Sequence, residues 1–172
     1  MKNNNIYLIG FMGAGKTTVG SELAKLTSYT LLDTDQLIVE DSNMDIVEIF
    51  ELHGEDYFRD LESNKLIQIS NQKNLIVSTG GGIIIREKNR KILSKHFSIY
   101  LRASYEIIFN RIKKDQTRPL LNTDDPYSSG LKLFESRKEI YESFDYSIDT
   151  DNLEPVDVAK EILKIYRDVQ QS

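Results

Sequence analysis

Residues 10–18 read GFMGAGKTT and match the pattern G-x-x-x-x-G-K-[ST]. The motif follows the apolar run 6–9, which predicts a short buried strand, and it precedes a helical pattern that begins at Lys16. Glycines in such a turn let successive backbone amides point inward, and the start of the helix attracts anions. This order of strand, glycine turn and helix predicts a phosphate-binding loop in a chain that binds a nucleotide.

Length and charge narrow the possible classes of protein. With 172 residues and 40% hydrophobic content, the chain is long enough for one sizeable core, so we predict a single α/β domain over 1–172. A formal net charge of −5 argues against a protein that holds nucleic acid electrostatically. Any anionic ligand is therefore expected to be held by local arginines.

Cysteine is absent, which excludes a disulfide framework and a thiolate metal site. The two histidines, His53 and His96, lie far apart and are predicted to be ordinary helix-surface residues. No apolar run approaches the roughly 18 residues of a membrane span, and no signal-peptide pattern is present. We expect a monomeric cytoplasmic protein with no membrane or nucleic-acid partner.

Two acidic residues follow the second predicted strand. The apolar pair 31–32 indicates a short strand, and Asp33 and Asp35 come after it. Ligands of an open α/β sheet collect at the carboxyl ends of its strands, so both carboxylates are expected near the bound phosphates. Asp35 has an alternative role as the N-cap of a helix that begins at 36–37, and the sequence leaves both roles open.

A basic and an acidic residue are neighbours on a predicted helix. Residues 46–53 have helical apolar spacing, Gly54 interrupts it, and a second helix follows. On that helix Arg59 and Glu62 are three residues apart. One interpretation is an ordinary surface ion pair, worth about a few tenths of a kcal/mol. The other is that Glu62 holds Arg59 so that its guanidinium binds a ligand carboxylate.

Three consecutive glycines, residues 80–82, follow the strand predicted at 75–78. Packing alone does not require them, so they predict a close approach of the backbone to another group. P-loop proteins often carry a magnesium-binding acid at the end of such a strand, and here Ser78 and Thr79 stand in that region. Asp33 is therefore the candidate acid.

The second half of the chain contains one stretch without periodicity. Residues 113–127 collect charged residues and prolines, and a loop of this length favours a mobile lid over the site. Helices are predicted at 86–96, 104–112, 131–144 and 156–169, and strands at 97–101 and 146–149. The helix at 131–144 carries Arg137 and Tyr141 one turn apart.

In this order the motifs resemble the shikimate kinase family, small P-loop kinases similar in fold to the nucleoside monophosphate kinases. The resemblance covers nearly the whole chain. It rests on the P-loop, LDTD at 32–35, the residues Gly54, Glu55, Phe58, Arg59 and Glu62, GGG at 80–82, RPL at 118–120, and Arg137 with Tyr141.

The resemblance implies a fold and an activity. The implied fold is a three-layer α/β P-loop kinase with a five-stranded parallel sheet, helices on both faces, a lid at about 113–127 and acceptor-binding helices within about 35–70. The implied activity is transfer of the γ-phosphate of ATP, bound with Mg²⁺, to the 3-hydroxyl of shikimate. That reaction belongs to the chorismate pathway of aromatic amino-acid biosynthesis.

The resemblance also implies the contact residues. Expected nucleotide contacts are Gly13, Ala14, Gly15, Lys16, Thr17, Thr18, Arg111, Arg118 and Pro155. Expected acceptor contacts are Asp35, Phe50, Phe58, Arg59, Gly80, Gly81, Gly82 and Arg137. The late loop departs from the family, because Leu153 and Glu154 precede Pro155 where an arginine is often found. Arg111 is the residue expected to stack on the adenine.

Phosphoryl transfer requires alignment and positive charge around the moving group, which Lys16, Mg²⁺ and Arg118 are expected to provide. We expect Thr17 to ligate the metal directly and Asp33 to lie in its outer shell, because Mg²⁺ keeps most of its waters. Asp35 is the candidate group for the acceptor hydroxyl proton.

Three alternatives remain at this stage. Another small-molecule kinase of the same fold, such as a gluconate kinase, would share the P-loop and the lid but not the acceptor residues. A GTPase is disfavoured because no N-K-x-D motif is present. A non-catalytic nucleotide-binding relative is the alternative from another class, and the joint presence of Lys16, Asp35 and Arg118 argues against it.

Overall fold

The computed structural model describes residues 4–113 and 123–171. Its strands are Ile6–Ile9 (β1), Thr30–Asp33 (β2), Leu75–Ser78 (β3), Phe97–Arg102 (β4) and Tyr146–Asp149 (β5). They form one sheet in the order β2-β3-β1-β4-β5, and every neighbouring pair is parallel. The five-stranded parallel sheet expected from the sequence is confirmed.

Helices cover both faces of this sheet. They are Lys16–Leu26 (α1), Thr34–Ser42 (α2), Ile46–Ser70 (α3), Glu87–Leu93 (α4), Tyr105–Ile112 (α5), Pro126–Glu142 (α6) and Pro155–Gln171 (α7). The side chains of β1 alternate between two cores: Ile6 and Leu8 pack with α1 and α7, whereas Tyr7 and Ile9 pack with residues of α3, α4, α5 and α6. The result is the three-layer α/β arrangement.

The start of α6 corrects the sequence-based boundary. The helix begins at Pro126, not near residue 131, because Asp125 caps it through Ser128 N (3.1 Å) and proline fits the first helical turn. Tyr127 therefore belongs to a helix and not to the end of the predicted lid. Residues 114–122 of that segment, which include Arg118, lie outside the described residues.

The structure confirms the predicted helix break at Gly54 and shortens the predicted helix at 86–96. The break at Gly54 is confirmed, since this residue interrupts α3 with φ 82° and ψ 171°, a conformation in which a side chain is strained. Helix α4 is shorter than predicted and ends at Leu93. The prediction that His96 lies on a helix surface is therefore wrong. His96 is half-buried in the turn after α4, with its ring centroid 5.3 Å from that of Tyr7.

The candidate site residues follow the carboxyl ends of three neighbouring strands. The P-loop follows β1, Asp33 ends β2, and Thr79 with the three glycines follows β3. A third small core of Ile38, Ile49 and Phe58 packs α2 against α3 beside this edge. Among the described residues, no helix combines the length and apolar character that a membrane crossing requires.

Candidate active site

The P-loop forms the floor of a cavity of about 420 Å³. Gly15 takes φ 93° and immediately precedes α1, a left-handed conformation that glycine adopts without strain. A Cβ on Gly13 would lie 2.6 Å from Ile112 Cγ2, so this position requires glycine for space. Lys16 is 8% exposed, and its Nζ donates to Gly10 O at 2.8 Å and Phe11 O at 2.9 Å.

This one cavity contains most of the predicted nucleotide and metal residues. The lining residues from those predictions are Gly13, Ala14, Gly15, Lys16, Thr17, Thr18, Asp33, Arg111 and Pro155, and Asp35 and Gly81 from the predicted acceptor contacts line it as well. Arg111 Nη1 donates to Gly13 O at 3.2 Å, which ties α5 to the P-loop. Leu153 and Val158 add apolar surface at the Pro155 end. The cavity thus has a polar phosphate end and a more apolar end.

Asp33 joins the start of α2 to the P-loop helix. Its Oδ1 accepts from the backbone N–H of Asp35 (3.0 Å) and Gln36 (3.3 Å), so Asp33 is the N-cap of α2. Its Oδ2 accepts from the Thr17 hydroxyl at 2.7 Å. The interpretation of Asp35 as the N-cap is therefore wrong, because α2 begins at Thr34 and Asp35 already lies in its first turn. The Asp35 side chain lines the cavity.

Arg59 and Glu62 form a buried pair, not a surface one. Arg59 Nη1 donates to Glu62 Oε2 at 2.6 Å, and the Arg59 and Glu62 side chains are 4% and 1% exposed. Glu55, 45% exposed, accepts from Arg59 Nη2 at 2.9 Å and Nε at 3.1 Å. The interpretation as an ordinary surface ion pair is wrong, because α3 turns this face toward the cavity edge and the glycine loop.

Burial shifts the pKa values of this pair. Burial raises the pKa of Glu62 to about 7 against the lowering effect of Arg59, and the negative charge of Asp35 raises it further. For Arg59, burial alone would lower the pKa, but the charge and hydrogen bonds of Glu62 and Glu55 raise it. Glu62 Oε1 is buried without a hydrogen-bond partner among the described residues.

The three glycines make room for charged groups. A Cβ on Gly80 would overlap the Asp35 carboxylate and lie 2.6 Å from Glu62 Oε1, and one on Gly82 would overlap the Arg59 guanidinium. A Cβ on Gly81 would lie 2.9 Å from Met12 N of the P-loop. The predicted close approach is therefore confirmed, although the neighbours are parts of this chain.

Arg137 enters this region from α6 as a second buried cation. It is 4% exposed, and its Nη1 donates to Gly81 O at 3.4 Å, an oxygen that also accepts from the Tyr141 hydroxyl. Burial lowers the pKa of Arg137, and the positive charge of Arg59 lowers it further. No carboxylate among the described residues forms an ion pair with it. The guanidinium groups of Arg59 and Arg137 therefore lie near each other, and of the two, Arg59 is the one that forms ion pairs with carboxylates of the described residues.

Phe50 and Phe58 lie together, with ring centroids 5.1 Å apart, in the small core between α2 and α3. The Arg59 guanidinium carbon is 5.4 Å from the Phe58 ring centroid, so the Phe58 ring packs against the Arg59 guanidinium. Neither His53 nor His96 lines the cavity. Arg118 lies outside the described residues.

Sequence reasoning did not place three residues in the candidate site. Thr34, fully buried, accepts from Gly80 N at 2.9 Å, Ser78 lies 2.9 Å from the Thr17 hydroxyl oxygen, and Glu62 was only a partner for Arg59. The available signals were their positions beside Asp33, Thr79 and Arg59. Asp33 and Ser78 pair with each other at the ends of β2 and β3, and this pairing cannot be predicted from one sequence.

Comparisons with known proteins agree with this geometry. The shikimate kinase family model matches residues 12–167. Shikimate kinase of Thermodesulfovibrio yellowstonii is 42% identical over 163 residues, covering 94% of each chain. A solved structure of shikimate kinase from Acinetobacter baumannii in complex with shikimate is 36% identical, with a TM-score of 0.93 over 99% of this chain and 96% of that chain.

A more distant solved structure shares the fold alone. A gluconokinase from Sinorhizobium meliloti is 15% identical, with a TM-score of 0.57, over 96% of this chain and 93% of that chain. It therefore carries no argument about the acceptor, whereas the family model and the 42% identical relative do. The chain belongs to the shikimate kinase family.

Proposed function

We propose that this enzyme transfers the γ-phosphate of ATP to the 3-hydroxyl of shikimate, with Mg²⁺ as its metal ion, as a monomeric single-domain protein of the cytoplasm. The observation that carries the acceptor assignment is the pair of buried guanidinium groups, Arg59 and Arg137, beside Asp35 and the glycine loop. An acid bearing hydroxyl groups matches both features, because a carboxylate pairs with the cations and a hydroxyl with Asp35.

The nucleotide is proposed to lie along the P-loop cavity. Its phosphates accept from the amides of 13–18 and from Lys16, which exchanges its contacts with Gly10 O and Phe11 O for phosphate oxygens. Its adenine lies at the end formed by Arg111, Leu153 and Pro155. This placement uses the polar and apolar ends of the cavity for the matching parts of ATP.

The residues at the phosphate end fit a magnesium ion. Mg²⁺ prefers oxygen ligands and keeps several waters, and the Thr17 hydroxyl and Asp33 carboxylate provide oxygen donors beside the P-loop. In the described ranges, no group of three or more His, Cys, Asp or Glu side chains could hold a metal ion, so phosphates and water would complete the shell. A magnesium ion held there would supply positive charge that neutralises the charge developing on the phosphates during transfer.

Shikimate is proposed to lie between α3, α6 and the glycine loop. Arg59 and Arg137 bind its carboxylate, the backbone of 80–82 contacts the ring substituents, and Phe50 and Phe58 support the wall. Glu62 holds Arg59 in position through the 2.6 Å hydrogen bond. Its Oε1, buried near the Asp35 carboxylate, is positioned to accept from a donor of the bound acceptor or of water.

Asp35 orients the acceptor hydroxyl and takes its proton. The hydroxyl oxygen forms a bond to the γ-phosphorus while the bond to the bridging oxygen of the leaving ADP breaks, and the hydroxyl proton passes to the Asp35 carboxylate. Lys16 stays on the phosphates through this step. We assign the remaining positive charge around the transferring phosphate to Arg118, in the segment 113–127 that the sequence predicts to be a lid.

The direct test is ADP release by the purified protein in a coupled assay with ATP and Mg²⁺, with and without shikimate. We expect release that depends on shikimate and a product phosphorylated at the 3-hydroxyl by phosphorus NMR. Gluconate is the matched acceptor control, since it also carries a carboxylate and hydroxyl groups. Turnover with gluconate but not shikimate would overturn the acceptor assignment, and ATP binding without ADP release for any acceptor would favour a non-catalytic relative.

A further inference from the structure

Three side-chain oxygens meet where the P-loop helix touches the sheet. The Thr17 hydroxyl oxygen lies 2.7 Å from Asp33 Oδ2 and 2.9 Å from Ser78 Oγ. Ser78 is 2% exposed, and in the β2–β3 pairing it stands directly opposite Asp33. The sheet register itself therefore brings the serine hydroxyl to Thr17.

Counting protons determines the direction of these two hydrogen bonds. A hydroxyl has one proton and two lone pairs, and a carboxylate only accepts. The Thr17 proton is directed to Asp33 Oδ2, because the carboxylate has no proton to donate. Ser78 must then donate to the Thr17 oxygen. Thr17 keeps one lone pair, and its direction is determined by the two neighbours.

We infer that Ser78 is a positioning residue for the Thr17 hydroxyl as a magnesium ligand, an inference that rests on the proposed function. With its proton held by Asp33 and one lone pair held by Ser78, the Thr17 oxygen has its remaining lone pair free for the ion in the phosphate cavity that Thr17 and Ser78 both line. Groups that orient a metal ligand typically change metal affinity by about 10 to 100-fold when removed.

This arrangement assigns Ser78 a role different from that of a direct ligand. Its proton is used on Thr17, and in the sheet it pairs with Asp33. The serine at the end of β3 thus acts on the metal through Thr17, whereas Asp33 acts on Thr17 and on the start of α2. Removing Ser78 should weaken magnesium binding without touching Arg59 or Arg137.

The experiment measures ADP binding by calorimetry with saturating Mg²⁺ and with EDTA, for wild type and Ser78→Ala. We expect the ratio of the ADP affinity with Mg²⁺ to the ADP affinity with EDTA to fall by about tenfold in Ser78→Ala. The ADP affinity measured with EDTA should be unchanged. Ser98→Ala is the matched control: Ser98 is 4% exposed, its Oγ donates to Leu93 O at 2.8 Å, and it lies outside the cavity. It should leave the ratio unchanged.

A double-mutant cycle makes the inference specific. Thr17→Val should remove most of the Mg²⁺ effect, and Ser78→Ala added to Thr17→Val should produce no further loss, because Ser78 acts through Thr17. Independent losses in the two variants would overturn the inference. Ser78→Cys, nearly the same size with a weaker donor, gives an intermediate ratio and serves as the test variant if Ser78→Ala does not fold.

The outcomes separate this inference from the proposed function. If wild type shows no Mg²⁺ effect on ADP binding, the proposed metal site is wrong. If wild type shows the effect and Ser78→Ala retains it in full, only the role of Ser78 is wrong. A drop of both the Mg²⁺ and the EDTA affinities by the same factor would identify Ser78 as a structural residue of the P-loop and would also overturn the inference.

Discussion

The phosphate half of the site and the acceptor half are built by different means. The phosphate half uses backbone amides, one lysine and short hydroxyl and carboxylate side chains at the ends of neighbouring strands. The acceptor half uses long charged side chains from α3 and α6, buried against a glycine loop. The first is largely a property of local sequence, whereas the second exists only when distant segments pack together.

The difference predicts how each half responds to substitution. In the phosphate half, loss of a side chain removes a ligand contact and leaves the fold intact. In the acceptor half, loss of Arg59 leaves the Glu62 charge buried without its partner, so function and stability change together at this pair. The following predictions test this contrast, starting with the largest expected effect.

Lys16→Met should reduce turnover to background while the melting temperature stays close to that of wild type. The ammonium group is required on the transferring phosphate, and in the structure its Nζ donates to the backbone carbonyls of Gly10 and Phe11. The measurement is ADP release together with thermal denaturation on one preparation. Near-normal activity would contradict the assignment of the P-loop, and a large loss of stability would contradict the contrast between the halves.

Asp35→Asn should lower kcat by about 10² with little change in melting temperature. Asparagine keeps a hydrogen-bond acceptor but cannot take the hydroxyl proton, and Asp33, not Asp35, caps α2. Steady-state kinetics with shikimate tests this prediction. Wild-type kcat would remove Asp35 from the reaction and leave the hydroxyl without its acid.

Arg137→Ala and Arg59→Ala should both raise the KM for shikimate, by about 10 to 150-fold, because a charge-assisted hydrogen bond contributes about 1.5–3 kcal/mol. Their stabilities should differ. Arg59→Ala leaves Glu62 buried without its cation and should destabilise the fold by about 3–5 kcal/mol, whereas Arg137 has no carboxylate partner among the described residues.

Urea denaturation and steady-state kinetics on both variants make the comparison, and the KM for ATP is the internal control. Equal stability losses would show that the Arg59–Glu62 pair is not distinct from Arg137. Normal calorimetric binding of shikimate to either variant would assign that arginine to a purely structural role.

Glu62 should make the stability of the fold decrease as pH rises. Its pKa is about 7 in the fold, raised by burial from the ordinary value of 4.5, so between these values the folded state holds a proton that the unfolded chain has lost. Because the folded state binds more protons there, the free energy of unfolding falls from about pH 4.5 to about pH 7 and is level above.

Urea denaturation from pH 5 to 8 on wild type and Glu62→Gln measures this effect, which is the smallest of the four. The free energy of wild type relative to Glu62→Gln should fall up to about pH 7. Glu55→Gln is the matched control, since it removes the other carboxylate on Arg59 from a partly exposed position. Parallel curves for wild type and Glu62→Gln would mean that Glu62 stays ionised throughout this range.

Local patterns predicted much of the fold and the phosphate half. The P-loop, the break at Gly54 and all five strands follow from motif, glycine and apolar spacing within short windows. The predicted start of α6 was wrong because Pro126 was interpreted as a loop residue, although proline is favoured in the first turn of a helix. The decisive information was the capping contact of Asp125.

For the proposed acceptor half, the sequence nominates residues but does not show how deeply they are buried. The spacing of Arg59 and Glu62 is the same for a surface pair and for a buried pair, and only the packing of α3 against the sheet edge distinguishes them. The role of Asp35 was undecided for a similar reason. Asp33 and Asp35 are both good caps, and the geometry at the end of β2 selects Asp33.

Asp33 has a consequence for how this site can change. One of its oxygens starts the helix that presents Asp35, and the other holds the hydroxyl of the P-loop helix. A single carboxylate thus sets the spacing between the phosphate that is donated and the group that prepares its acceptor. A substitution at Asp33 alters both ends of that spacing at once, so this residue couples the two halves of the site.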